Sequence, residues 1–309
     1  MSTANTDSRR MRMIVNGKAA SDEALREAVE QIRSEGHTLE VRVTWEGGDA
    51  TRYAAESTRD EFDVIVVAGG DGTINEVVNG VVTADESPRI AVAVVPYGTA
   101  NDFAVGCGLT KGAPLDALRL AVTGRARSID VGKVNDRYFI NAAAGGFGAE
   151  VTASTPREMK KVLGGVAYSI MGVVTAMKMR PYHGRFVAVD RKEEGTMLVM
   201  TVGNGPQTGG GYQIAPHALL DDGLLDLLVV HDVELSQMGT VFEELTKLRD
   251  PENKYVSYFQ LESFRIETEE PLQMNLDGEP TRDTSFEFEV LRRRLAFILP
   301  PEAPLSQKV

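Results

Sequence analysis

The chain has 309 residues, enough for about two domains that each bury a core. Its 42% hydrophobic and 25% charged residues, with 30 Gly and 13 Pro, exclude collagen-like, disordered and membrane-spanning classes. Forty-five acids against 33 bases give a formal charge of -12, which excludes nonspecific nucleic-acid binding and leaves contact with an anionic membrane to a local basic patch.

From the N-terminus the pattern alternates apolar runs with amphipathic stretches. Residues 11–15 read as a strand, 22–33 as a helix, 39–44 as a strand and 49–57 as a helix. Two buried-strand runs, 63–68 and 90–95, flank a helical 74–82, and a further helix is expected over 115–122. This rhythm predicts an α/β domain over residues 1–130, a parallel sheet with helices on both faces. Beyond it the periodicity turns mostly β, with strands expected at 138–143, 185–189, 197–202, 225–230, 264–268, 286–290 and 295–299. Helical insertions are expected at 157–179 and 235–248, and residues 131–299 read as a β-rich sandwich domain followed by a tail, 300–309.

One cysteine, Cys107, excludes an intramolecular disulfide and a cysteine cluster for metal. His37, His183, His217 and His231 have no ligand spacing. Residues 1–12 are polar and carry no signal-peptide core, and the most apolar stretch, 162–177, is broken by Gly164, Gly165 and Gly172. It falls short of the roughly 20 residues that cross a bilayer. A cytoplasmic location is the expectation.

The sharpest motif follows the strand at 63–68: Gly69, Gly70, Asp71, Gly72, Thr73, Ile74, Asn75 and Glu76. Glycines let main-chain N–H groups approach a phosphate, and the start of the following helix points its positive end at the same place. The alternative is a plain strand-to-helix turn capped by Asp71. A second junction carries Pro96, Tyr97, Gly98, Thr99, Ala100, Asn101 and Asp102. Loops at the carboxyl ends of neighbouring parallel strands converge, so Gly72, Thr73, Thr99, Asn101 and Asp102 are expected to line one nucleotide site. Two acidic turns follow, around Asp221, Asp222 and Gly223 and around Asp277, Gly278 and Glu279. Such Asp-Gly turns commonly join hairpins, but a carboxylate with nearby carbonyls holds a hard cation and a paired acid deprotonates an alcohol.

These motifs, in this order and with Asn16, Gly17, Lys18, Thr44 and Trp45 before them, resemble the diacylglycerol-kinase catalytic-domain superfamily, most closely its YegS-type bacterial lipid kinases. The resemblance covers nearly the whole chain. It implies an NAD-kinase/diacylglycerol-kinase-like first domain and ATP as phosphoryl donor, held by Gly70, Asp71, Gly72, Thr73, Ile74, Asn75 and Glu76 with Thr44 and Thr99. It further implies Mg2+ or Ca2+ on the carbonyls of Leu219 and Leu224 and the carboxylate of Asp222. Glu279 matches the general base, Asp277 a supporting acid, and residues 300–309 a tail that returns to the first domain.

The implied acceptor is a lipid hydroxyl, of phosphatidylglycerol or a diacylglycerol-like lipid. Alternatives are an NAD-kinase-like small-molecule kinase and a non-enzymatic nucleotide- or lipid-binding regulator. Residues 156–181 combine cationic ends with an apolar middle and are expected either to dock peripherally on a membrane or to pack as a core helix. Trp45, the only tryptophan, is expected to pack on the nucleotide region or to cover the sheet edge. Arg292, Arg293 and Arg294 read as a solvated turn.

Overall fold

The computed structural model describes residues 9–60, 62–145, 181–189, 191–208 and 211–306. Two compact units emerge: Met1–Ile129 with Arg293–Val309, and Asp130–Arg292.

The first unit runs β1 (Arg10–Val15), α1 (Glu23–Ser34), β2 (Thr38–Val43), α2 (Asp49–Arg59), β3 (Val64–Gly69), α3 (Asp71–Ala84), β4 (Ala91–Pro96), α4 (Asp102–Gly106) and α5 (Pro114–Thr123). Its parallel sheet has the order β4-β3-β1-β2. All six residues of β3 and of β4 are buried, as expected for strands covered on both faces. One face packs Met13, Val66 and Ala93 against α1 and α5. In α1 the buried Leu25, Ala28, Val29 and Ile32 recur at helical spacing, and the Asp22 carboxylate accepts the Leu25 N–H at 2.9 Å to cap the helix. On the other face α2 and α3 meet at Gly80, where an added Cβ would lie 2.3 Å from the Thr51 carbonyl.

The chain enters the second unit within β5 (Ala126–Val134) and leaves it much later within its last strand. Between them come β6 (Arg137–Phe139), β7 (Ala142–Gly145), β8 (Tyr182–Ala188), β9 (Arg191–Gly203), β10 (Gln207–Thr208), β11 (Tyr212–Gln213), β12 (Leu225–His231), a 3-10 turn (Leu235–Gln237), α6 (Met238–Leu245), β13 (Val256–Leu261), β14 (Ser263–Leu276) and β15 (Glu279–Ile298). These strands pair antiparallel in the order β13-β12-β9-β7-β14-β15. The pair β9 and β14 is bridged twice, by β7 through Ala143 and by β8 through Arg185. Phe264 stacks on Phe288 at 4.7 Å inside a core that also takes Phe186, Ile266, Leu227 and Met274. Helix α6 covers the opposite face of β9 and β12 with Val241 and Leu245.

The α/β first part and the β-rich second part agree with the sequence reading. Several details differ, among them β5 and β13, strands where the sequence reading has none. The expected strand 138–143 is split into β6 and β7, because the Asp277 carboxylate takes the N–H groups of Ile140, Asn141 and Ala142. The two expected strands 286–290 and 295–299 are one, β15, which continues through Arg293 in the left-handed region at φ 48°. Arg292, Arg293 and Arg294 therefore lie in a strand and not in a turn: Arg292 and Arg293 are solvated, Arg292 pairing with Glu262, while Arg294 donates to the carbonyls of Val82 and Asp85 at the end of α3. The helix expected over 235–248 is the shorter 3-10 turn and α6. The helix expected over 157–179 lies outside the described residues.

After β15 pairs with β4 through Ala296 and Phe297, Ala303 and Leu305 are buried. Phe297 meets Phe103 edge-on at 5.2 Å, within the first unit.

Candidate active site

In the first unit the two glycine turns touch. Strands β3 and β4 pair in register up to Gly69 and Pro96, and the Tyr97 N–H donates to the Gly69 carbonyl at 2.9 Å. A Cβ on Gly98 would come within 2.4 Å of the Gly70 Cα, and one on Gly70 within 2.8 Å of the Gly98 Cα. Main chain lies on main chain there, which no larger residue permits. A Cβ on Gly72, by contrast, would meet nothing within 4 Å. The Ile74 N–H is the first of α3 to find an intrahelical carbonyl, that of Gly70 at 3.0 Å. The N–H groups of Asp71, Gly72 and Thr73 thus stand at the open end of the helix, where an anion is favoured.

Each polar residue of the motif has a definite neighbour. The Asp71 carboxylate accepts the Phe103 N–H at 3.1 Å and so joins α3 to α4. Thr73, buried, accepts from the Asn16 amide at 3.3 Å. Glu76 accepts the Gly48 N–H at 3.2 Å, and Asn75 accepts from the Asn79 amide at 3.0 Å. Ile74 is fully buried, a core residue. Asn101, buried and at φ 55°, clasps Gly98 by accepting its N–H at 2.6 Å and donating to its carbonyl at 2.9 Å. Its side chain shapes the second turn. Thr99 is exposed at the tip of that turn. Thr44 follows β2, its N–H donating to the Val15 carbonyl at 2.9 Å. Trp45 neither packs on this region nor covers the sheet edge: it is 95% exposed. Lys111, which the motif reading passed over, donates to the Gly98 carbonyl at 2.8 Å.

The second unit holds the remaining candidates. Residues 219–224 form a loop before β12 in which the Asp222 carboxylate accepts the Leu224 N–H at 3.0 Å. Gly223, at φ 77°, donates its N–H to the Asp130 carboxylate at 2.6 Å, and an added Cβ would meet the Arg292 side chain at 2.5 Å. Burial pushes the Asp222 carboxyl up, and the charges of Asp130 and Asp221 add to the shift. Four residues on, the fully buried Asp226 accepts from Tyr258 and Gln260 and is raised to about 6, chiefly by burial. The Asp222 carboxylate, raised among neighbouring acids, is a donor of the kind a hard divalent cation takes, and such an ion would relieve the crowding.

Asp277 and Gly278 form the two-residue turn between β14 and β15, with Leu276 opposite Glu279 and both turn residues at positive φ, 49° and 104°. That is the geometry a tight hairpin requires. The buried Asp277 carboxylate accepts three N–H groups, from Ile140 at 2.6 Å, Asn141 at 3.0 Å and Ala142 at 2.8 Å. Both its oxygens are engaged in main-chain bonds. Glu279, two residues on, is exposed at the start of β15, and its carboxylate accepts no hydrogen bond among the described residues. A further residue connects the two acidic turns: the buried Asn204 amide donates to the carbonyls of Asp130 at 3.2 Å and Ile140 at 2.7 Å. The result is a bonded path from Gly223 through Asp130, Asn204 and Ile140 to Asp277. Nothing around Asp130 or Asn204 in the sequence marks them as members of it.

Residues 10–134 match the family model "Diacylglycerol kinase catalytic domain" and residues 141–299 the model "YegS C-terminal NAD kinase beta sandwich-like domain". The chain therefore belongs to the diacylglycerol kinase catalytic-domain family and is an enzyme, a phosphotransferase. Within it the chain is similar to a protein of Chromohalobacter salexigens named "Probable lipid kinase YegS-like", at 43% identity over 95% of this chain and 94% of that one. It is 41% identical to "Probable lipid kinase YegS" of Salmonella arizonae over 95% of this chain and 97% of that one. Among solved structures, one described as "a putative diacylglycerol kinase" from Bacillus anthracis str. Sterne superposes with TM-score 0.78 at 28% identity, covering 98% of this chain and 99% of that one.

Proposed function

We propose that the enzyme transfers the γ-phosphoryl group of ATP to the hydroxyl of a lipid, phosphatidylglycerol or a diacylglycerol-like acceptor. What carries the reading is the main-chain contact of Gly70 with Gly98, in a chain of the diacylglycerol kinase family. The two turns leave a side-chain-free surface at the open start of α3. Such a surface accepts a polyphosphate through N–H donors. The open space at Gly72 is the place for it. Thr44 and Thr99 are the further nucleotide contacts, Thr73 is held through its hydroxyl by the Asn16 amide, and Asp71, Glu76 and Asn101 hold the surrounding loops.

Glu279 is the general base. It takes the proton of the lipid hydroxyl as the acceptor oxygen bonds to the γ-phosphorus and the bond to the bridging oxygen breaks, releasing ADP. Asp277 is a positioning residue: by pinning residues 140–142 it fixes the hairpin from which Glu279 projects. Mg2+ or Ca2+ on Leu219, Asp222 and Leu224 would neutralise the acidic loop and hold it in shape when bound. The lipid is reached by peripheral contact, for which residues 156–181, of which 156–180 lie outside the described residues, are the candidate segment.

The test is transfer of radiolabel from γ-labelled ATP, with magnesium, to a panel of lipids in mixed micelles. Label in phosphatidylglycerol or diacylglycerol is the expected result. Label released only as inorganic phosphate, or no label released at all, overturns the reading.

A further inference from the structure

Trp45 is 95% exposed, so its indole adds nothing to the core that surrounds the sheet. Its main chain is nonetheless fixed. The N–H groups of Trp45 and Glu46 both donate to the Asp49 carboxylate, at 2.8 and 3.2 Å. On one side Thr44 is bonded to the end of β1 through Val15. On the other, Gly48 donates to Glu76 in the first helical turns of α3. The loop 44–48 thus adjoins the helix whose start carries Asp71, Gly72 and Thr73. Strand spacing puts the carboxyl end of β2 about 10 Å from that of β3, two strands away.

We infer that the Trp45 indole is the stacking platform for the adenine ring of ATP, whose phosphates lie on the glycine turns. The inference rests on the ATP reading above and adds to it the residue that recognises the base. A flat aromatic face held by a fixed main chain loses little freedom when a base stacks on it. Asp49, under the main chain of the loop, is paired with Arg52 at 2.7 Å, so the charge left next to Trp45 in the chain is that of the exposed Glu46, which favours a base over a lipid surface. The Glu46 carboxylate repels an anionic bilayer and tolerates a neutral purine.

Because Trp45 is the only tryptophan, intrinsic fluorescence reports it without labelling. Titration with ATP is expected to quench the emission, and inorganic triphosphate to leave it unchanged. By calorimetry Trp45→Ala should bind ATP about 5- to 150-fold more weakly, the range of one base-aromatic stack. Its affinity for inorganic triphosphate should stay as in the wild type, and Trp45→Phe should recover most of the ATP affinity. If ATP binds the wild type while the emission is unchanged and Trp45→Ala binds it equally well, the platform is wrong and the ATP reading stands. Absence of any ATP binding to the wild type overturns both. An emission shift with phosphatidylglycerol vesicles and none with ATP assigns Trp45 to a lipid surface and overturns the inference.

Discussion

The carboxylate of Asp71 accepts the main-chain N–H of Phe103 at 3.1 Å. An acid beside the proposed polyphosphate site is electrostatically unwelcome, and this bond gives it a structural part: it ties the start of α3 to the start of α4, next to the contact of the two glycine turns. Asp71→Ala removes the acceptor and should cost about 1–3 kcal/mol of stability, with weakened ATP binding. Asp71→Asn keeps an acceptor oxygen and should restore the melting temperature. Differential scanning fluorimetry of the pair, with and without ATP, checks this; equal melting of the two variants would contradict it.

Gly98 and Gly72 make opposite predictions. Gly98→Ala puts a Cβ 2.4 Å from the Gly70 Cα, so the turns must separate, and both melting temperature and ATP affinity should fall. Gly72→Ala meets no neighbour within 4 Å and should melt like the wild type while losing ATP affinity, since the methyl enters the space proposed for the phosphates. Calorimetric titration of both variants separates the two effects.

Asp277→Asn keeps one acceptor oxygen but turns the other into an NH2 group facing an N–H donor. The loss should be about 1.5–3 kcal/mol, the range for bonds to a charged group, or a few degrees in melting temperature. Turnover should fall with Glu279 misplaced while ATP affinity holds. Urea unfolding and a kcat-against-KM comparison test both parts; unaltered unfolding would remove Asp277 from its positioning role.

His231 sits with its Nε2 2.8 Å from the Ser257 hydroxyl, and burial lowers its pKa against the opposing pull of Glu193 and Glu244. The unfolded chain takes up this proton near the ordinary value of 6.5, the folded one only at lower pH. Its contribution is therefore complete above about 6.5 and is lost as the pH falls towards the lowered value. His231→Gln should show a smaller stability loss between about pH 7.5 and pH 5.5, measured by urea unfolding at each. An identical pH dependence in the two proteins would contradict this.

The strands of the first unit were legible because buried parallel strands read as unbroken apolar runs, as Val64, Ile65, Val66 and Val67 do. The glycine turns were legible because their chemistry is local. What could not be read depends on partners far along the chain. The break between β6 and β7 is imposed by Asp277, 137 residues beyond Ile140. Arg294 reaches back to Val82 across 212 residues. Asp130 and Asn204 sit in ordinary β-rich surroundings, and only the fold brings them beneath Gly223 and Ile140. Trp45 was misjudged because a lone indole usually buries itself, whereas here its loop is held by Asp49 and Glu76 with the ring outside.

The proton transfer assigned to Glu279 is the centre of the account, and turnover of Glu279→Gln on a lipid acceptor tests it most directly. The exposed side chain can change without disturbing the core, so folding and ATP affinity should match the wild type. Turnover should fall by about 100-fold or more, the scale of a lost general base. A folded variant that phosphorylates lipid at near the wild-type rate would contradict the account.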